Sequence, residues 1–218
     1  MQRLVQKTLV ALLIALVPVL LLTACSSPFG GNEADEVASA GDAGSSREVP
    51  GVLLEDAAPA PQFTLTTQDG TPYSLSELDG KITAIFFGYT GCPDICPMTL
   101  GYMAQATEAL GDDAGQVEYL LITVDPERDD PERLAQYISR VDAPLTALTG
   151  SQAELEPVWD DYDIVVERRE RDGDGYFVDH SAQIWIIDQH GDLVMFMPMG
   201  ADGDDLTAAL RWLLDQEA

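Results

Sequence analysis

The sequence predicts an α/β fold in which helices flank a sheet of mixed strand direction. Two apolar runs, Ile82–Phe87 and Tyr119–Val124, are typical of buried strands, and helical patterns follow both. Later in the chain, Ala182–Ile187 and Leu193–Met197 are predicted to pair as a hairpin, and an amphipathic helix comes last. Strands that alternate with helices and then give way to a hairpin and a helix indicate a sheet whose strands run in both directions.

Local signals place the remaining elements. Pro131 suits the first turn of a helix, and Ser151 with Glu154 forms a capping-box pattern at the start of another. A Gly/Asp segment, Asp172–Gly175, predicts a flexible insertion before the strand that His180 opens. The other predicted elements are a hairpin of Phe63–Thr66 with Tyr73–Leu75, helices from about Thr99 to Leu110, from Pro131 to Val141, from Ser151 to about Asp160 and from about Asp204 to Gln216, a short strand at Leu145–Leu148, and an alternating segment at Ile164–Arg168.

The N-terminus has the pattern of an export signal. Arg3 and Lys7 precede an uncharged apolar run from Thr8 to Leu22, and the sequence Leu-Thr-Ala-Cys then ends at Cys25. This ending resembles the bacterial lipobox, which implies a signal peptide over residues 1–24 and a lipid anchor on Cys25. The alternative is an uncleaved signal anchor. Under both interpretations the rest of the chain is exported and tethered to a membrane, facing the periplasm or the cell exterior.

Composition divides the exported part into two regions. Residues 25–58 are rich in Gly, Ala, Ser and acidic residues and have almost no aromatic residues, so they cannot bury enough apolar surface to fold. We therefore expect an acidic flexible linker over residues 25–58. The remaining residues, 59–218, are of the right number for one domain.

The chain is strongly acidic, with 38 Asp and Glu against 11 Lys and Arg and a formal net charge of −27. Such a field repels nucleic acid and anionic lipid headgroups, so nucleic acid is excluded as a partner. Because the acids are dispersed, they indicate a solvated surface suited to high salt. The alternative is that the charge attracts cations or a basic partner.

Two cysteines lie where a predicted strand passes into a predicted helix. Unpaired N–H groups at a helix start stabilise a thiolate, which can attack a disulfide or bind a soft metal. If Cys92 and Cys96 were both helical, their Cβ atoms would be about 5–6 Å apart, wider than a relaxed disulfide allows, whereas a metal bridges that gap easily. Each cysteine also precedes a proline, which disfavours helical geometry. We therefore expect Cys92 in the loop and Cys96 at the helix start, an arrangement open to either chemistry.

Three sequence blocks closely resemble those of the Sco/SenC copper chaperones, in the same order. They are Gly88–Pro97 (GYTGCPDICP), Thr123–Asp129 (TVDPERD) and Tyr176–Ser181 (YFVDHS). The resemblance implies a thioredoxin-like fold and copper bound by Cys92, Cys96 and His180. It further implies delivery of copper to the dinuclear copper site of a respiratory cytochrome oxidase, or reduction of that site's cysteines. The implied partners are the oxidase subunit that carries this site and an upstream copper donor or thiol reductant.

The residue types agree with copper chemistry independently. Two thiolates and one imidazole form a soft, low-coordinate set that suits Cu(I), whereas a structural zinc site uses four protein ligands. The chain has two histidines: His190 lies in a polar turn, while His180 is either the third ligand or a hydrogen-bonded residue at a strand end. The remaining candidates are better explained structurally, with the alternating Met195, Met197 and Met199 as core packing and Asp94 as a helix cap.

The main alternative is an enzyme on the same fold, either a thiol-disulfide oxidoreductase or a thiol peroxidase. The spacing is not Cys-x-x-Cys, and no proline lies between Tyr176 and Ile187, where thioredoxin-like reductases place a cis-proline. Peroxiredoxins carry proline and threonine seven and three residues before their reactive cysteine, where this chain has Ile85 and Tyr89. A metallochaperone is therefore favoured over an enzyme. Stoichiometric reduction of one partner stays open, as does a redox or copper sensor.

Overall fold

The structure, a computed structural model, describes residues 51–78, 80–171 and 175–216. Within them the chain forms ten β-strands and four α-helices. The strands are β1 Val52–Pro59, β2 Thr64–Thr67, β3 Pro72–Ser74, β4 Ile82–Gly88, β5 Val117–Thr123, β6 Leu145–Thr149, β7 Val166–Glu170, β8 Tyr176–His180, β9 Ile184–Ile187 and β10 Asp192–Met197. The helices are α1 Ile95–Leu110, α2 Pro131–Ile138, α3 Gln152–Asp161 and α4 Gly203–Gln216.

Eight strands form one mixed sheet in the order β1-β10-β9-β4-β5-β6-β2-β3. β4, β5 and β6 are parallel neighbours, and β9 pairs antiparallel with β4 on the other side. Every residue of β4 is buried, as expected for a strand at the centre of a sheet that is covered on both faces. The predicted α/β fold with a mixed sheet flanked by helices is therefore confirmed.

The helix signals in the sequence correspond to observed contacts. Asp130 caps α2 by accepting a hydrogen bond from the backbone N–H of Arg133 at 2.8 Å, and Pro131 lies in the first turn. At the start of α3, the Glu154 carboxylate accepts from the Ser151 backbone N–H at 2.7 Å, as the capping-box pattern predicts. α1 begins at Ile95, earlier than predicted, because Pro97 is accommodated within the first turn, where its missing N–H costs no helical bond.

Strand β1 corrects the predicted boundary between linker and domain. Residues Val52 to Pro59 were expected to be almost wholly linker, yet they pair antiparallel with β10, with Val52 opposite Phe196 and Leu53 opposite Met195. Nearly all of the β1 side chains are exposed. The strand is therefore held through its backbone hydrogen bonds, which an analysis of side-chain hydrophobicity does not detect. The rest of the predicted linker lies outside the described residues.

The segments on either side of the predicted flexible insertion form a second, two-stranded sheet. β7 and β8 pair antiparallel from Val166 opposite His180 to Glu170 opposite Tyr176. Residues 172–174 of the predicted flexible segment lie outside the described residues. The sequence predicted that His180 opens the strand that continues to Ile187, and this prediction is wrong. His180 ends β8, and β9 begins separately at Ile184.

No helix among the described residues is both long enough and apolar enough to cross a membrane. The predicted signal segment and Cys25 lie outside those residues, so the proposed anchor has no structural description.

The exposure of β1 gives a stability test with two matched substitutions. Val117→Ala, in the buried start of β5, should lower the free energy of unfolding by about 2 kcal/mol, because it removes two buried carbons and leaves a cavity. Val52→Ala, in β1, should lower it by less than about 0.5 kcal/mol because that side chain is 44% exposed. Urea unfolding of the two variants measures both values. Equal losses would show that side-chain burial, rather than backbone pairing, holds β1.

Candidate metal centre

Cys92 and Cys96 lie at the end of the central strand β4, in the loop and first turn that lead into α1. Cys96 is fully buried and Cys92 is partly exposed, and both are free thiols. Gly88, the last residue of β4, makes room for this arrangement, since a Cβ atom there would lie 3.2 Å from the Cys96 sulfur and 2.7 Å from the Phe86 ring. A side chain at position 88 would therefore push the sulfur away from the sheet.

The sulfur of Cys92 occupies the position of a helix cap. Asp94 is the N-cap residue of α1 by position, but its side chain makes no capping hydrogen bond, so the predicted capping role is wrong. Instead the backbone N–H of Cys96 donates to Cys92 Sγ at 3.3 Å. The unpaired N–H groups of the first turn thus stabilise negative charge on this sulfur, as expected for a thiol at a helix start.

His180 reaches the cysteines from hairpin β7–β8. Its Nε2 atom lies 3.6 Å from Cys96 Sγ, although the two residues are 84 positions apart in the chain. Its Nδ1 atom is 2.8 Å from the backbone carbonyl oxygen of Ser181. Because a carbonyl can only accept, Nδ1 carries a proton and donates it to Ser181, which leaves Nε2 as the ring nitrogen that faces the cysteine pair.

Aromatic side chains fix the orientation of the His180 ring. The rings of Phe86 and Tyr89 pack edge-on against it, with centroid distances of 6.1 Å and 5.8 Å. An imidazole whose second nitrogen donates to a backbone carbonyl and whose ring is held by packing is the usual arrangement of a metal-ligating histidine.

The structure brings the three predicted ligands together. The two sulfur atoms and one imidazole nitrogen all lie within 4.8 Å of one another. Metal bonds of about 2.0 to 2.3 Å to nitrogen and sulfur place ligand atoms up to about 4.6 Å apart around one ion, so only small movements would complete such a site. Cys92, Cys96 and His180 could therefore hold one metal ion.

The two thiols differ strongly in acidity. The hydrogen bond from Cys96, helped by the His180 ring and the backbone N–H groups of Asp94 and Cys96, lowers the pKa of Cys92 to about 4, although burial acts in the opposite direction. The same bond to Cys92, together with burial, raises the pKa of Cys96 above its ordinary value. At neutral pH the pair is therefore one thiolate, on the more exposed Cys92, bonded to one thiol.

A buried carboxylate that the sequence analysis did not single out fixes the loop before Cys92. Asp129 accepts from the Thr90 backbone N–H at 3.0 Å, from the Thr90 hydroxyl at 2.6 Å and from the Thr123 hydroxyl at 2.8 Å. Burial raises the pKa of Asp129, and the bonds from Thr90 and Thr123 oppose that rise. The only sequence signal for this role is the place of Asp129 in the Thr123–Asp129 block.

The other candidate residues from the sequence are not part of the Cys92, Cys96 and His180 cluster. His190 is exposed in the turn between β9 and β10, with its Nδ1 atom 3.7 Å from an Asp188 carboxylate oxygen. Met195 and Met197 are buried, which confirms their role in core packing, whereas Met199 lies beyond the end of β10 and is 71% exposed. The third cysteine, Cys25, falls outside the described residues.

Several known proteins are similar to this chain. A SCO2-like protein of Rickettsia typhi is 32% identical over 151 residues, which are 68% of this chain and 74% of the relative. The structure of Bradyrhizobium japonicum ScoI with copper bound is 35% identical, with a TM-score of 0.66 over 72% of this chain and 99% of that one. A structure of BsSco, a member of the Sco family of cytochrome c oxidase assembly proteins in which a disulfide switch was identified, is 25% identical, with a TM-score of 0.57 over 73% and 96% of the two chains.

A structural match to the thioredoxin domain of a Bacteroides vulgatus protein, with a TM-score of 0.55, together with the ScoI match shows that the fold is thioredoxin-like, as the resemblance implied. The family model described as SCO1/SenC matches residues 53–215, a range that contains both cysteines of the loop and His180. Because the match extends over far more than half of the sequence, this chain belongs to the SCO1/SenC family.

Proposed function

We propose that this protein is an exported, membrane-tethered copper-binding protein that delivers copper to the dinuclear copper site of a respiratory cytochrome oxidase. The observation that carries the proposal is the convergence of Cys92 Sγ, Cys96 Sγ and His180 Nε2 within 4.8 Å. Two sulfurs and one nitrogen suit a soft ion of low coordination number, and Cu(I) is the ion that such a set favours. Copper would be the cargo of this protein.

The three ligands have different parts in loading and release. Cys96 is buried against β4 and is the fixed ligand, while Cys92 is partly exposed and is the sulfur that a donor or acceptor protein can reach. His180 is carried on a hairpin outside the eight-stranded sheet, so it can withdraw without disturbing the strands under the cysteines. Transfer would then proceed by stepwise exchange of ligands through the Cys92 side.

A second candidate function is the reduction of a disulfide on the partner, and the acidity of Cys92 favours it. A partly exposed thiolate beside a buried thiol is the arrangement of an attacking and a resolving cysteine. Cys92 would attack the partner's disulfide, and Cys96 would then resolve the mixed disulfide. The partner gains two electrons, one proton from Cys96 and one proton from solvent and becomes a dithiol, and this chain is oxidised to a Cys92–Cys96 disulfide.

A transfer experiment separates the two functions. The reduced full-length chain, loaded with one Cu(I), should pass the ion to the metal-free copper-bearing subunit of the oxidase, as measured by copper analysis after the proteins are separated. It should not turn over glutathione disulfide or peroxide. Reduction of the subunit's disulfide in a one-to-one ratio, without copper transfer, would favour the second function. Copper retained by the double variant Cys92→Ser, Cys96→Ser would place the metal elsewhere in the chain.

The role of His180 can be tested against the other histidine. Loss of a hydrogen-bond partner of a ligand typically weakens metal binding 10- to 100-fold, so loss of a ligand itself should cost at least about 100-fold in Cu(II) affinity. His180→Ala should therefore abolish the stable Cu(II) complex and its thiolate absorption band while leaving the fold intact. His190→Ala should change neither. Wild-type Cu(II) affinity in His180→Ala would remove this residue from the ligand set.

Attachment to a membrane through Cys25 is part of the proposal and has a direct test. In a bacterium that processes lipoproteins, the chain should fractionate with membranes, and mass spectrometry should find lipid on an N-terminal Cys25. Cys25→Ser should abolish acylation. An unmodified Cys25 in a protein that retains residues 1–24 would indicate a signal anchor instead.

A further inference from the structure

The hairpin that carries His180 is attached to the rest of the domain largely through side chains. β7 and β8 pair with each other and not with the strands of the eight-stranded sheet. Alternate residues of β8 share a face, so Tyr176 and Val178 lie on the same side of the hairpin as His180. The contacts of Tyr176 and Val178 therefore determine how His180 is presented to the cysteines.

Tyr176 is stacked between two guanidinium groups. The central carbon of the Arg128 guanidinium lies 3.7 Å from the centroid of the Tyr176 ring, and that of Arg168 lies 3.6 Å from it. Two guanidinium groups at these distances cannot share one face of a ring, so they cover opposite faces. Arg128 follows β5 in the domain body, whereas Arg168 belongs to β7, so one half of the stack joins the hairpin to the body.

Hydrogen bonds strengthen the contact between Tyr176 and Arg128, the guanidinium that belongs to the domain body. Arg128 donates one hydrogen bond to the backbone carbonyl of Tyr176 at 3.1 Å and another to the carboxylate of Asp125. The Tyr176 hydroxyl donates to the same carboxylate at 2.7 Å. Asp125 is only 3% exposed, so its carboxylate is shielded from water and bonds strongly to both donors, although the Arg128 side chain is 35% exposed.

Arg128 also contacts the loop that leads to the cysteines. Its guanidinium carbon is 5.6 Å from the centroid of the Tyr89 ring and would be 3.5 Å from a Cβ atom on Gly91, the residue before Cys92. The Tyr89 hydroxyl in turn accepts a hydrogen bond from the backbone N–H of Val178 at 3.2 Å. One guanidinium thus lies against both segments that carry metal ligands.

We propose that Arg128 is a positioning residue that locks hairpin β7–β8 onto the cysteine loop and so holds His180 Nε2 within reach of a metal on Cys92 and Cys96. The proposal rests on the copper-binding function above and extends it to a residue that binds no metal. The planar guanidinium is essential to this role because it stacks on Tyr176 while its edge donates to two acceptors. A lysine keeps the charge beside buried Asp125 but can do neither as well.

Hydrogen exchange tests the attachment of the hairpin without any metal. The Val178 N–H bonds to Tyr89 in the domain body and not to β7, so its exchange rate reports release of the hairpin. In the metal-free full-length chain, Arg128→Lys should speed exchange at Val178 about fivefold or more, the change expected from losing one stacking contact of this kind. The matched control is Arg169→Lys on β7, because Arg169 is 71% exposed and forms an ion pair with Asp179 within the same hairpin. The control should leave exchange at Val178 unchanged.

Copper spectroscopy then connects attachment to ligation. In Arg128→Lys the nitrogen couplings in the Cu(II) electron paramagnetic resonance spectrum should weaken and Cu(II) should dissociate several-fold faster, while Arg169→Lys matches the wild type. If the wild-type chain bound no copper, the proposed function would fail, and the exchange measurement would still decide whether Arg128 fixes the hairpin.

A second variant covers the case in which Arg128→Lys fails to fold. Tyr176→Leu removes the ring between the two guanidinium groups and keeps Arg128, so it should also speed exchange at Val178 and weaken the nitrogen couplings. Wild-type exchange and couplings in the folded variants would overturn the proposal. So would an equal effect of Arg169→Lys, since that would show a general response of the hairpin to altered charge.

Discussion

The contact between His180 and the cysteine pair is the constraint on which the candidate site depends. The cysteines are placed by local structure, since a buried strand, a short loop and a helix start fix them within a few residues of one another. His180 comes from 84 residues further along the chain than Cys96, on a hairpin outside the main sheet. The third ligand is therefore present only while the hairpin is attached, and its attachment depends on polar and aromatic contacts more than on a shared backbone ladder.

The competition between disulfide and metal follows from the same geometry. A single pair of sulfurs cannot form a bond to each other and both bind an ion, so the oxidation state of Cys92 and Cys96 decides whether cargo can be held. Neither chemistry requires the chain to refold, because the free thiols already lie within 4.8 Å of each other. The two proposed functions therefore share Cys92 and Cys96, and copper binding adds His180.

The sequence predicts those parts of the structure that depend on local pattern. The strands β4 and β5 are largely apolar because both faces of the sheet are covered there, and the two cysteines are recognised by their spacing and adjacent prolines. Strand β1 is not predictable in this way, because its side chains are exposed and its strand geometry comes from pairing with β10, more than 130 residues further along the chain.

Contacts between distant residues account for the other differences. Asp94 has the right residue type and position for a helix cap, but the sulfur of Cys92 takes the N–H that it would have bonded. Arg128 lies in the Thr123–Asp129 block, but the sequence does not indicate its role, since that role depends on Tyr176, which reaches it only through the fold. His180 is identifiable from a shared sequence block, yet its place at the end of β8 is set by pairing with Val166.

The hydrogen bond between the Cys96 N–H and Cys92 Sγ has a consequence for the rate at which a ligand could be exchanged. A sulfur has several lone pairs, so Cys92 can keep accepting this bond while it is a thiolate, while it binds an ion, or while it is shared with an incoming protein. The first turn of α1 then need not open and reform during transfer. Only the Cys92 sulfur in the loop then has to move during the exchange, so the reorganisation energy is small. The helix stays rigid while the bonds to that sulfur change.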